Sequence, residues 1–316
     1  MELEEDKYFK YAFMTLCCCI RGFSSCIRLV LVIDGAHLKG KYKGIIFTAF
    51  SVDGNNQIYP IAFGIVDKES DASWSWFLEG LKHFIGEVDG LLFVSDRHVS
   101  ITKSIREVFL EAVHGICMHH LSMNMKDKFK NDDMQGMFIL AAKPKLRYDQ
   151  MTSNNAESMN AVLSHARALP VTALLEQARD LVQRWFYERR TYTSSRETIL
   201  TDYGETNMRA VENLSRTYSI TPIDLHELEN VNRYSLCSSA YNLQTLINVY
   251  AEHVYPLGDE EDWVLPDNFV HRNIELPKIV QRVGRRQTVR IPSAGETRQV
   301  HKCSRCGNTG DNRKTC

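Results

Sequence analysis

The chain has 316 residues, 44% of them apolar and 24% charged, with a formal net charge of -1. That balance belongs to a packed globular protein of about two domains and excludes a wholly disordered, collagen-like or low-complexity chain. The charge is uneven: Lys278 to Cys316 holds ten Lys/Arg against two acids, so a tail of +8 follows a body of -9. A basic tail suits a polyanion, or serves only to keep the chain soluble. The longest apolar stretch near the start, Tyr11 to Ile20, ends at Arg21 after ten residues, where a membrane span needs about 20. Glu2, Glu4, Glu5 and Asp6 carry the wrong sign for a secretory signal. No membrane partner is therefore expected. The nine cysteines are odd in number and unevenly placed, with Cys17, Cys18 and Cys19 adjacent and Cys303, Cys306 and Cys316 clustered in the tail. This points to a reducing compartment, with metal binding ahead of disulfides.

Leu29 to Ile33 is a continuous apolar run that reads as a central strand stopping at Asp34-Gly35. Ile45 to Phe50 is a second strand, closed by the turn Asp53-Gly54-Asn55-Asn56, and Ile58 to Val66 a third, joined to it as a hairpin. Asp71 opens a helix with Trp74, Phe77, Leu81 and Phe84 at helical spacing. Leu91 to Val94 is a fourth strand, again ending at a carboxylate, Asp96. Ser100 is the expected cap of a second helix with Ile101, Ile105, Val108 and Ala112 on its apolar face. His114 to Met118 is a short fifth strand, with more helix from about Leu121. The pattern then turns helical from Val171 to about Ile220, where Leu174, Ala178, Leu181 and Trp185 mark a core stripe. Arg184, Arg189 and Arg190 either flank a nucleic-acid path or form solvated helix surface, the second being the simpler reading.

A hairpin followed by alternating helix and strand predicts an α/β fold: a ribonuclease H-like mixed sheet flanked by helices, then a helical region and a disordered basic tail. In that order, carboxylates at the ends of the first and fourth strands lie side by side, and Asp34 and Asp96 fall at those positions. An Asp beside a Gly is also the common way to end a strand in a turn. Two carboxylates brought together repel unless a cation sits between them.

Several blocks now resemble, in order, those of Mutator-like element (MULE) transposases of plants. They are Val32 to Tyr42, Pro60 to Val66, Ser73 to Leu78, Val94 to Arg97, Cys117-Met118-His119-His120-Leu121 and Thr152 to Asn160. The resemblance runs from about Tyr8 to about Leu200. It implies a catalytic Asp-Asp-Glu triad of Asp34, Asp96 and Glu157 that binds a pair of divalent cations, Mg2+ or Mn2+, for DNA strand cleavage and transfer. Glu157 otherwise reads as an exposed acid in the first turn of a helix. Cys117 and His120 fit the family's Cys-x-x-His motif; they read either as half of a zinc site or as structural groups, with Cys117 buried.

The tail carries a further resemblance, to a CCHC-like zinc knuckle. Cys303, Cys306 and Cys316 keep its spacing, and Asp311 stands where the histidine belongs. Carboxylate oxygen can ligate Zn2+, so these four residues form the expected site, weaker and more sensitive to pH than one with histidine. The parts are thus a lead-in at 1–28, truncated relative to the family, a ribonuclease H-like domain at 29–165, a helical region at 166–250, an acidic then basic linker at 251–300 and a knuckle at 301–316. The expected function is a transposase-derived protein in the nucleus that binds DNA, and single-stranded nucleic acid through its tail, with catalysis weakened or silenced by truncation. A homo-oligomer is compatible with it. The alternative is a domesticated DNA-binding transcription regulator without catalysis, similar to the FAR-RED IMPAIRED RESPONSE proteins, or a relic with neither role.

Overall fold

The computed structural model describes residues 1–4, 8–117, 121, 129, 154–217, 232–256, 258 and 274. The chain divides into two units, Met1–Ile116 with Ser153–Lys278, and Cys117–Thr152 with Ile279–Cys316. In the second unit Cys117, Leu121 and Phe129 are described; Cys117 is buried and its carbonyl accepts the Leu121 N–H at 3.1 Å. The arginine-rich part of the linker and the knuckle with Cys303, Cys306, Asp311 and Cys316 lie outside the described residues.

The first unit is built on seven strands: β1 (Glu2–Glu4), β2 (Tyr8–Thr15), β3 (Val30–His37), β4 (Ile45–Val52), β5 (Ile58–Val66), β6 (Leu92–Ser95) and β7 (Val113–Ile116). They form a mixed sheet in the order β1-β2-β5-β4-β3-β6-β7. The helices are α1 (Cys17–Cys26), α2 (Asp71–Ile85), α3 (Val99–Val108), α4 (Asn154–Val162), α5 (Val171–Ser194), α6 (Asp202–Ser215) and α7 (Leu243–Val249). Every residue of β4 is buried. Successive strand side chains point to opposite faces, so both faces of the sheet's centre are covered.

The expected sequence of three strands, helix, strand, helix, strand is present, with four local corrections. First, the pattern marks no strand before Leu29, yet β2 pairs antiparallel with β5, Ala12 opposite Ile65, and Tyr11 and Ala12 are buried. Its short interrupted apolar run becomes a strand only because β5 supplies a partner. Second, α2 begins with a capping box between Ser70 and Ser73, and its core face ends in Ile85. Phe84 remains 46% exposed and lies over Phe13. Third, Ser100 is not a cap. His98 holds that position without a side-chain bond, and the Ser100 hydroxyl donates to Asp71 at 2.5 Å, tying α3 to the start of α2. Fourth, Phe186, not Trp185, continues the buried stripe of α5, while Trp185 is half-buried beneath the Arg189 guanidinium.

Arg189 is no surface residue. It donates to the Ile58 carbonyl and to the Tyr250 hydroxyl, both at 2.7 Å, and that hydroxyl donates to buried Asp53 at 2.7 Å. The other Asp53 oxygen accepts the N–H groups of Asn55 and Gln57 and closes the β4–β5 turn. Burial pushes the Asp53 carboxyl above its usual range, against the opposing pull of Arg189 and Tyr250. This network joins the hairpin to α5 and to the residue that follows α7. Replacing Tyr250 by Phe removes a donor to a buried carboxylate and an acceptor for Arg189. The expected loss is about 1–3 kcal/mol, read as a lower urea midpoint with an unchanged slope.

Candidate active site

The strand carrying Asp34 does not stop there. β3 continues to His37 because β4 keeps supplying partners, Asp34 opposite Thr48 and His37 opposite Ile45. What ends near Asp34 is the neighbour on the other side: β6 runs parallel to β3 only over Val30↔Leu92, Leu31↔Phe93 and Val32↔Val94, and finishes at Ser95. Asp34 and Asp96 therefore each stand two residues beyond the last parallel register pair of two strands about 4.8 Å apart, Asp34 still within β3 and Asp96 just past β6. Both are half-buried. The chain beyond Asp34 on one side, and the turn into α3 on the other, leave them at the rim of the sheet.

Cross-strand partners share a face, so Asp34 lies with Thr48, whereas Gly35 lies with Phe47. Phe47 stacks on Trp74 of α2 with ring centroids 3.7 Å apart. Asp34 thus belongs to the face away from α2, and there it meets α4: Asn160 Nδ2 donates to Asp34 Oδ2 at 2.7 Å. Buried Ala156, Met159 and Leu163 seat this helix. A clamp follows it. Arg167 donates to the carbonyls of Asn160 and His37, and its own carbonyl accepts the N–H groups of Lys39 and Gly40. A side chain at Gly40 would put its Cβ 2.8 Å from the Ala168 carbonyl oxygen, so only glycine allows this approach. Glu157 lies on α4 three residues before Asn160; its side chain is outside the described set.

Asp96 is shaped by its neighbours. Its Oδ1 accepts the His98 N–H at 2.9 Å, and its backbone carbonyl accepts the Ser95 hydroxyl at 2.8 Å. Since that hydroxyl has a single proton, the 2.8 Å contact between Ser95 and His114 Nε2 requires His114 to be the donor. Burial, with the Arg106 charge beside it, pulls His114 below the usual imidazole range, and Asp96 opposes this. The sequence pattern marked His114 only as a strand residue, and Asn160 only as part of a block. The signal for Asn160 was its spacing of three from Glu157, one helical turn. For His114 no local signal existed, because Ser95 comes beside it only through the pairing Ser95↔Ile116 and Phe93↔His114.

Among the described side chains, no group of three His, Cys, Asp or Glu is assembled for a metal. The donors that are present, two carboxylates just beyond the paired stretch of β3 and β6, are hard oxygen ligands of the kind Mg2+ and Mn2+ take. Of the Cys-x-x-His pair, Cys117 is buried, while His120 lies outside the described residues.

Residues 30–124 match the MULE transposase domain. The matched stretch opens at the first residue of β3, passes β7 and contains both Asp34 and Asp96. It supports a MULE transposase-like domain with a transposase-derived, DNA-related function, and so implies DNA as a partner. No curated protein matches the chain. Among the described residues no helix is long and apolar enough to cross a membrane.

The depressed His114 pKa has a direct consequence. The unfolded chain takes up this proton more readily than the folded one, so the His114 contribution to stability is present above about pH 6.5 and is lost as pH falls through the lower folded value. Thermal unfolding between pH 7 and pH 5 should show a fall in Tm that is shallower in His114→Gln.

Proposed function

We propose that the first unit is a ribonuclease H-like catalytic domain of the plant MULE type that cleaves and joins DNA strands at Asp34, Asp96 and Glu157. One observation carries this reading: the parallel register of β3 and β6 ends two residues short of both aspartates, inside the stretch that matches the transposase domain. A sheet that sets two acids just beyond the end of one parallel pairing incurs repulsion unless a cation neutralises them. Asp34, Asp96 and Glu157 would hold Mg2+ or Mn2+, which when bound activates water or a DNA 3'-hydroxyl and neutralises charge on the phosphate. The chain's own part is positional. Strand β3 carries Asp34, the turn after β6 carries Asp96, and the clamp at Arg167 keeps α4, with Glu157, beside the end of β3. Half-burial keeps one side of the pair open to a phosphate group. The exposed basic side chains of Arg97, next to Asp96 in the chain, and of Arg106, in the last turn of α3, would contact the DNA backbone without regard to sequence.

In the tail, Cys303, Cys306, Asp311 and Cys316 would hold Zn2+ and order a segment too short to have a core of its own. That segment would then bind single-stranded nucleic acid. A protein with these partners works in the nucleus.

In Mg2+ or Mn2+ the purified chain should nick supercoiled DNA, and Asp34→Asn or Asp96→Asn should abolish nicking while leaving Tm within a few degrees. Equal nicking by wild type and both variants would remove the catalytic reading. For the tail, Asp311→His should raise zinc affinity in a competition titration with a chromophoric chelator. An unchanged affinity would mean that Asp311 is not a ligand.

A further inference from the structure

Asp34 is held by a neutral group. Asn160 Nδ2 lies 2.7 Å from Asp34 Oδ2, and because a carboxylate only accepts, the amide must present its NH2 and not its oxygen. Asn160 is itself anchored: its backbone carbonyl takes Arg167 Nη2 at 3.2 Å, and the Arg167 carbonyl takes the Lys39 N–H at 2.7 Å and the Gly40 N–H at 3.1 Å. Lys39 and Gly40 come shortly after His37, the last residue of the strand that carries Asp34. The donor and the carboxylate are thus fixed to one another by two separate connections between α4 and β3.

We propose that Asn160 is a positioning residue that orients the Asp34 carboxylate for cation binding. This rests on the reading of Asp34 as a cation ligand. A Lys or Arg in the same position would pair with Asp34 and compete with a cation for its charge. An amide fixes the plane of the carboxylate and brings no charge of its own to neutralise it. The hydrogen bond also ties α4, and with it the backbone position of Glu157 one turn earlier, to the strand that bears Asp34. Partners of this kind, which touch a ligand and not the metal, typically change metal affinity 10–100-fold when removed.

The test is a Mn2+ titration of the full chain, with free ion read by electron paramagnetic resonance, from pH 5 to pH 7. Wild type is compared with Asn160→Ala, Asn160→Asp and Asp34→Asn, and each variant's Tm is measured without metal. Asn160→Ala should weaken binding about 10–100-fold. Asn160→Asp keeps the size of the side chain but faces Asp34 with a second carboxylate, and the two share a proton that Mn2+ must displace. Its affinity should therefore climb more steeply with pH than that of wild type, by about one further proton released per ion bound. A residue that only packed the helix would leave this slope unmoved, so the variant decides the matter even if Asn160→Ala fails to fold. Binding abolished by Asp34→Asn, yet unchanged in affinity and pH slope by the Asn160 variants, would overturn the role of Asn160 and leave the cation site standing. Binding indifferent to Asp34→Asn would overturn the cation site, and the role of Asn160 with it.

Discussion

The first unit turns on the parallel pairing of β3 with β6. Three register pairs suffice: with Val32 beside Val94, the next residues of the same parity are Asp34 and Asp96. A slip of one residue would carry one of the acids to the opposite face, since side chains alternate along a strand. Val30, Leu31, Val32, Phe93 and Val94 are all buried and resist that slip. The burial that specifies the core thereby specifies the spacing of two charges at its rim. Hydrophobic packing does the work of alignment, and the carboxylates follow from where the pairing of β3 with β6 ends.

At the other end of the sheet a different solution is used for a single acid. Asp53 lies past the last residue of β4, wholly inside, and is satisfied by two backbone N–H groups, the Tyr250 hydroxyl and the nearby Arg189 guanidinium. A buried charge with this many partners is structural: it joins the hairpin to α5 and the chain after α7, and offers nothing to solvent. Asp34 and Asp96 contrast with it. They are half-buried; an amide donates to Asp34 and a backbone N–H to Asp96. Comparing the two ends shows what separates an acid kept for the fold from acids kept near the surface.

How much could be read beforehand varied with the kind of signal. The strands β3, β4, β5 and β6 and the helix α2 were legible because their apolar runs and periodicities are local. The boundaries were less so. β3 outlasts its apolar run by running on to His37, since hydrogen bonding to β4 does not require apolar side chains. β2 went unmarked because a mixed stretch such as Tyr8 to Thr15 becomes a strand only beside β5. Arg189 read as surface because its partners, Ile58 and Tyr250, are 131 and 61 residues away in the chain. Of the candidate site, Asp34, Asp96 and Glu157 were named from sequence, whereas Asn160 and His114 acquired meaning only from the side chains beside them.

From sequence alone came the element order, the acids beside the ends of two apolar runs and the block that carries Glu157. These are properties of short segments, and short segments encode periodicity and chain breaks directly. Tertiary structure decided that the two acids follow one register pair, Val32↔Val94, that α4 lies on the face of the sheet away from α2, and that an amide holds Asp34 there. Those facts depend on pairings between residues far apart in the chain, Asn160 and Asp34 being separated by 126 positions. Nothing in a local pattern specifies such pairs, because they form only when the whole core is packed.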